Sequence, residues 1–210
     1  MHFVNCLIIV LLLALSQLSL ESPNDEGDNR ARLLRFVSLI AGFYYDGKEN
    51  PLLTKTVLPV QANAFYPSLT MYLEDNERPK PPFRQLLVLR ERPDGYIAIT
   101  PYFFPYDNND TGIDVSIFQK LQRSDYWTYP KCELVITEIE DIYMFNWPFC
   151  GDIKTNFMAI AACDLKGYLT YKNLEPNITT IFPVLLYKTE RLPLLPSMLE
   201  GVQHFEDPCA

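Results

Sequence analysis

Histidine is nearly missing from this sequence of 210 residues, which holds two. One, His2, lies in the first twenty residues, and the other, His204, stands close to the C-terminus. Metal sites built on several imidazoles are therefore excluded. A Ser–His–Asp hydrolase would have to recruit His204 from the tail. G-x-S-x-G, the P-loop, G-x-G-x-x-G and H-E-x-x-H are all absent, which removes the commonest hydrolase, nucleotide and metalloprotease signatures. Positive charge is short as well. Eighteen Lys and Arg face 26 Asp and Glu, a net −8 at pH 7, which argues against a protein that tracks nucleic-acid phosphates. The acids offer many carboxylate pairs, but no spacing marks out a glycosidase.

Long apolar runs are confined to the start. Phe3 to Leu15 is broken only by Asn5 and is too short to cross a bilayer. Small residues follow, and the polar stretch Glu21 to Asp28 comes next. This reads as a signal peptide over residues 1–20 and places the protein in the secretory route. No later stretch reaches 18 apolar residues, so no membrane span is expected. The expected layout continues with a polar N-terminal segment, 21–32, a single domain, 33–190, and a C-terminal tail, 191–210.

Cys6 leaves with the signal, and Cys132, Cys150, Cys163 and Cys209 remain. Four cysteines in an oxidising compartment, with no C-x-x-C among them, predict two disulfides from three connectivities. The favoured pairing is Cys132–Cys163, with Cys150–Cys209 tying down the tail. Two sequons, at Asn109 and Asn177, suit glycosylation in that route.

The best helix runs from Asn29 to Ala41, where Leu33, Phe36, Val37 and Ile40 fall at i, i+3, i+4 and i+7 before Gly42. Beyond it the chain reads mostly as strand. Ser68 to Glu74 alternates, and Arg84 to Arg92 and Tyr96 to Phe104 flank the turn Pro93-Asp94-Gly95. Val115 to Arg123 suits a short helix. Further strands are expected at Glu133–Glu138, Ile142–Trp147, Phe157–Ala162, Gly167–Lys172 and Thr179–Lys188. Eight to ten short strands after one helix predict a mostly β fold, an antiparallel meander closed into a barrel.

One segment opposes the acidic balance. Arg78, Lys80, Arg84, Arg90 and Arg92 are answered within the segment only by Glu91. Period-two geometry puts Arg84, Arg90 and Arg92 on one strand face with Leu86 and Val88. Two readings stand: a solvated face whose arginines pair surface carboxylates, or a wall that holds an apolar ligand by its carboxylates. The aromatics of the middle of the chain divide the same way, most into core and the rest into a slot for a flat ligand.

Ala41-Gly42-Phe43-Tyr44, then Tyr72-Leu73-Glu74, then Pro82-Phe83-Arg84-Gln85 follow in an order that resembles the CpeT/CpcT family of bilin chromophore lyases. Lys131-Cys132, and Cys163 ahead of Leu169-Thr170-Tyr171, occupy the places of that family's two cysteine motifs. The likeness covers roughly Leu33 to Lys188. The chain departs from the pattern at Asp75 (usually Gln), Phe83 (usually Tyr) and Lys131 (usually Gly). The resemblance implies an antiparallel, calycin-like β-barrel with an N-terminal helix, often dimeric. It also implies binding of an open-chain tetrapyrrole and help in attaching it, through a thioether, to a cysteine of a partner protein. In that scheme Arg84 holds a propionate, Tyr72 hydrogen-bonds or stacks on the bilin, and Glu74 protonates or orients a pyrrole ring. Glu74 and Arg84 are the catalytic candidates, and Arg90 joins Tyr72, Glu74 and Arg84 as a ligand-binding candidate. The bilin is ligand or substrate, with no tightly held cofactor and no metal. Two other functions fit the same residues: a secreted, non-catalytic carrier of a bilin or other planar carboxylated ligand, and a disulfide-stabilised interaction domain.

Overall fold

The computed structural model describes residues 24–77, 81–106, 114–129, 131–140, 142–147, 157–162, 168–172 and 182–210. A helix, α1 (Asn24–Ile40), precedes eleven strands. These are β1 (Gly42–Tyr45), β2 (Leu53–Val60), β3 (Leu69–Glu77), β4 (Phe83–Glu91), β5 (Ile97–Tyr102) and β6 (Leu134–Ile139). They continue with β7 (Ile142–Trp147), β8 (Phe157–Ala162), β9 (Tyr168–Lys172), β10 (Phe182–Leu185) and β11 (Tyr187–Arg191). A one-turn helix, α2 (Ile117–Lys120), lies between β5 and β6.

All eleven strands form one sheet, in which each is antiparallel to its neighbours. Its order runs from β10 back through β1 and ends on β11. The two ends of the sheet are thus a single stretch of chain, since only the buried Leu186 separates β10 from β11. The sheet curls into a barrel wall whose two end strands follow one another in the chain. The fold is mostly β, a calycin-like antiparallel barrel with an N-terminal helix.

Alternation decides what lies inside. Val57, Met71, Leu89, Ile97, Ile99, Leu134, Ile136, Tyr143, Phe145 and Ala161 share one core with Leu34, Phe36, Val37, Leu39 and Ile40 of α1. The strands contribute to it from nearly every part of the ring, so it is the barrel interior, and α1 fills it from one end. Phe36 meets the rings of Tyr143 and Phe145 at 5.3 and 5.4 Å. From Phe36 to Gly42 no residue of the chain is exposed, the expected state of a helix end enclosed on all sides. Its last carbonyls find partners there: the Tyr44 hydroxyl donates to Ile40 O at 2.6 Å, and Lys188 Nζ donates to Leu39 O at 2.5 Å. Arg32 pins the same helix to the end of the barrel where β4 turns into β5. Its guanidinium donates to Glu91, Glu138 and the carbonyl of Gly95.

A second apolar layer covers the outside of β2 to β5. There Leu86, Val88, Tyr72 and Phe104 pack against Phe65, Phe118 and Tyr126. The tail joins the main core rather than trailing from it, through Met198, Leu194, Leu195, Val202 and Phe205. Arg191 holds it with ion-paired bonds to Asp207.

Several boundaries differ from those expected. The helix starts five residues earlier than Asn29, and the segment expected over 179–188 is two strands that bend at Leu186. β1 and β2 are additional to the expected strands, and in β2 Lys55 and Pro59 interrupt the apolar pattern. Cys132 and Cys209 are each held in a disulfide. Cys150 and Cys163 lie outside the described residues, and the pairing with them; so do Asn109, Asn177, Arg78, Lys80 and the signal segment.

Candidate functional site

β3 and β4 are neighbours in register, with Glu74 opposite Arg84 and Tyr72 opposite Leu86. Because side chains alternate along a strand, Tyr72, Glu74, Arg84 and Leu86 stand on the outer face of the barrel wall. Three of the four ligand-binding candidates named from the sequence meet there. The Tyr72 hydroxyl donates to Glu74 Oε2 at 2.5 Å, and Arg84 Nε donates to the same oxygen at 2.7 Å. Asn76 Nδ2 donates to the other oxygen at 2.9 Å. Arg84 is 1% exposed, and its guanidinium carbon lies 5.2 Å from the centre of the Tyr106 ring. Phe104 and Phe118 flank Tyr72.

This packing sets the charges. Burial disfavours the Glu74 carboxylate, but the bonds from Tyr72, Asn76 and Arg84, together with the Arg84 charge, hold it below the usual carboxylate range. Burial and the adjacent carboxylate push the Tyr72 phenol well above its ordinary value. Glu74 is therefore an acceptor and not a proton donor at neutral pH. A carboxylate has about four lone-pair positions, and the three named bonds leave one on Oε1.

Arg90 does not join this group. It is exposed and ion-paired with Glu133, which also takes Arg92 at 3.1 Å. The described arginines of the basic segment are thus each matched by a carboxylate.

The inner face of the same two strands carries chemistry that the sequence reading did not single out. Tyr44, Lys55, Asp75 and Phe83 lie side by side across β1 to β4. Lys188, opposite Tyr44 on β11, extends the row. Lys55 Nζ is 3.0 Å from Asp75 Oδ1, and Lys55 is buried. Burial, helped by the charge of Arg191, lowers the Lys188 ammonium to about 8. One step further into the barrel is Gln85, which is 2% exposed.

At the start of β4, on the Gln85 side, four aromatic rings gather. Phe103 sits at the centre, 5.9 Å from Phe83, 5.9 Å from Trp127 in a stacked arrangement, and 5.5 Å from Tyr129. Phe83, Trp127 and Tyr129 are exposed. By contrast Tyr102, Phe104 and Tyr126 belong to the outer apolar layer. The signal for the inner row was available in principle: Gln85 and Asp75 each stand one residue from a named candidate, and alternation sends them to the opposite face.

Among the described residues no group of His, Cys, Asp and Glu has the arrangement of a metal site, and no helix is long and apolar enough to cross a membrane. No protein-family model matches the chain, and no curated protein matches it.

Proposed function

We propose that this chain binds an open-chain tetrapyrrole, or a like planar carboxylated ligand, and assists its thioether attachment to a cysteine of a partner protein, as the CpeT/CpcT resemblance implies. The observation that carries the reading is the meeting of Tyr72, Glu74 and Arg84 around one carboxylate. Pyrrole N–H groups are donors, and the open position on Glu74 Oε1 is an acceptor. Tyr72 and Arg84 fix the direction of that acceptor, and Arg84 acts as the counter-ion of Glu74. Lys131 adds support: it occupies the place where the family has Gly, and its φ is +58°, a region in which Gly is at ease.

In the attachment step the partner's thiol adds across the exocyclic double bond of the bilin. Sulfur bonds to one carbon and its proton ends on the neighbouring one, so no oxidant is consumed. The disulfide-bonded state of Cys132 and Cys209 favours a thiol supplied by the acceptor. The N-terminal apolar run of the sequence supports a role in the secretory route. The charged state of Glu74 favours a second reading, non-catalytic carriage, because a carboxylate without a proton orients a ring and does not protonate it.

Titration with biliverdin or phycocyanobilin tests both. A saturable shift of the visible spectrum at micromolar ligand is expected, weakened at least tenfold in Glu74→Gln; no shift sinks both readings. A cysteine-bearing acceptor separates them, because colour that survives denaturation marks attachment and its absence marks carriage.

A further inference from the structure

We propose that Arg123 is the anchor for a carboxylate of the ligand, in the place that the sequence resemblance gives to Arg84. The inference rests on the reading above, in which the ligand is planar and carboxylated, and it adds the residue that selects for the acid groups.

Arg84 is already engaged. It is buried and bonded to Glu74 at 2.7 Å, so a ligand carboxylate arriving there would meet a covered cation beside a like charge. Arg32, Arg90, Arg92 and Arg191 are each paired with a carboxylate as well. Arg123 differs: it is exposed, and among the described residues it meets no carboxylate. The carboxylate of Asp125, two residues on, accepts instead from the backbone N–H of Gln122 at 2.7 Å.

Although exposed, Arg123 is held. Its guanidinium carbon lies 4.2 Å from the centre of the Phe65 ring and 4.5 Å from that of Tyr102. Its Nη2 donates to the Tyr102 hydroxyl at 2.8 Å. Rings fix the position of a cation without neutralising it. Nε and Nη1 make no bond among the described residues. A guanidinium with open N–H groups grips a carboxylate by two parallel bonds, and one that is ordered beforehand loses less entropy on binding.

The location suits the same ligand. Tyr72, which fixes Glu74, and Tyr126 lie on either side of one ring, Phe104, at 6.4 and 6.5 Å. Tyr126 in turn meets Phe65, the ring under Arg123, at 4.9 Å. All these rings belong to the apolar layer outside β2 to β5. The Glu74 acceptor and the Arg123 cation therefore border one aromatic layer at separate places. A flat molecule with N–H donors in its body and carboxylates on side arms matches that layout.

Visible titration of the full chain with biliverdin and with its dimethyl ester, which keeps the chromophore and loses both charges, tests the anchor. Biliverdin is expected to bind about tenfold tighter than the ester, the scale of a charged hydrogen bond. Arg123→Gln should lower biliverdin affinity about tenfold, leave the ester unchanged and so erase the preference. Arg123→Lys should restore it only in part, since an ammonium is a point charge without the fork. Glu74→Gln, by contrast, should weaken acid and ester alike, because its partner is the pyrrole N–H. No spectral shift with biliverdin overturns this proposal together with the Glu74 reading. An ester that binds as tightly as the acid, or an acid preference that survives in Arg123→Gln, overturns this proposal and leaves the Glu74 reading standing.

Discussion

Replacing Glu74 by Gln should cost this fold more than an ordinary surface substitution. The reason is its partner: Arg84 is 1% exposed and cannot turn to water when its counter-ion is neutralised. Removing one member of a buried ion pair costs about 3–5 kcal/mol. Gln keeps an acceptor for Arg84 Nε, and Glu74 is itself 13% exposed, so a loss of about 2–3 kcal/mol is expected for Glu74→Gln. For a domain of this size that is a drop in Tm of roughly 5–10 °C. Arg84→Met should cost at least as much, because it also removes the contact with the Tyr106 ring at 5.2 Å. The double replacement Glu74→Gln, Arg84→Met should be less damaging than the sum, with a coupling of about 2 kcal/mol in urea denaturation followed by circular dichroism. Acid supplies a second check. The carboxylate is held below its ordinary range, so its contribution is complete above the unfolded value, near pH 4.5. It fades as pH falls through the lower folded value, and the gap between parent and Glu74→Gln should close in the same range. Additivity within 0.5 kcal/mol, or a gap indifferent to acid, would refute the claim that the pair is one buried unit.

Other outcomes follow from single features of the structure. Lys188, lowered to about 8 by burial, binds fewer protons folded than unfolded between about pH 8 and its ordinary value of 10.5. Stability of the parent relative to Lys188→Met should therefore stay level below about pH 8 and rise as pH goes from 8 toward 10.5, read by urea denaturation at pH 7 and 9.5. Arg32→Gln removes bonds to Glu91 and Glu138 and should loosen α1 by about 2 kcal/mol, seen as faster amide exchange in residues 33–40. Gly42→Ala should cost roughly 1–3 kcal/mol, since a Cβ there would stand 2.4 Å from the backbone oxygen of Glu190; a melting temperature equal to the parent's would show that β1 and β11 are not closely apposed. Lys131→Gly should stabilise by about 0.5–1 kcal/mol, because φ is +58° and only Gly occupies that region without strain.

The sequence disclosed those parts of the fold that obey local rules. Pro93-Asp94-Gly95 announced the β4–β5 hairpin, and the structure closes it with Gly95 N donating to Arg92 O at φ +80°. The spacing of Leu33, Phe36, Val37 and Ile40 announced α1. It did not announce that Leu34, Ser38, Leu39 and Ala41 would be buried too, because enclosure by a barrel is a long-range fact. β2 hid for a similar reason. Lys55 looks like a solvent residue until β3 brings Asp75 opposite it. The basic segment misleads by its local count alone: Glu74, earlier in the chain, and Asp94 and Glu133, later in it, answer Arg84, Arg90 and Arg92.

The four residues Pro82-Phe83-Arg84-Gln85 show why a motif can be legible while its geometry is not. Read along the chain they are one unit, yet the pleat divides them. Arg84 turns outward to Glu74, while Phe83 and Gln85 turn inward, beside Phe103 and Leu73. The same division splits Glu74 from Asp75 on β3. A slip of one residue in the β3–β4 register would exchange the faces of one strand against the other. It would bring Arg84 into the apolar interior, where Leu73, Leu87 and Leu89 pack. The buried Glu74–Arg84 pair therefore does two things at once. It holds the outer carboxylate in place, and by fixing register it keeps the Gln85 amide on the inner wall. A variant that frees Arg84 should disturb both faces, whereas one at Gln85 should disturb only the inner one.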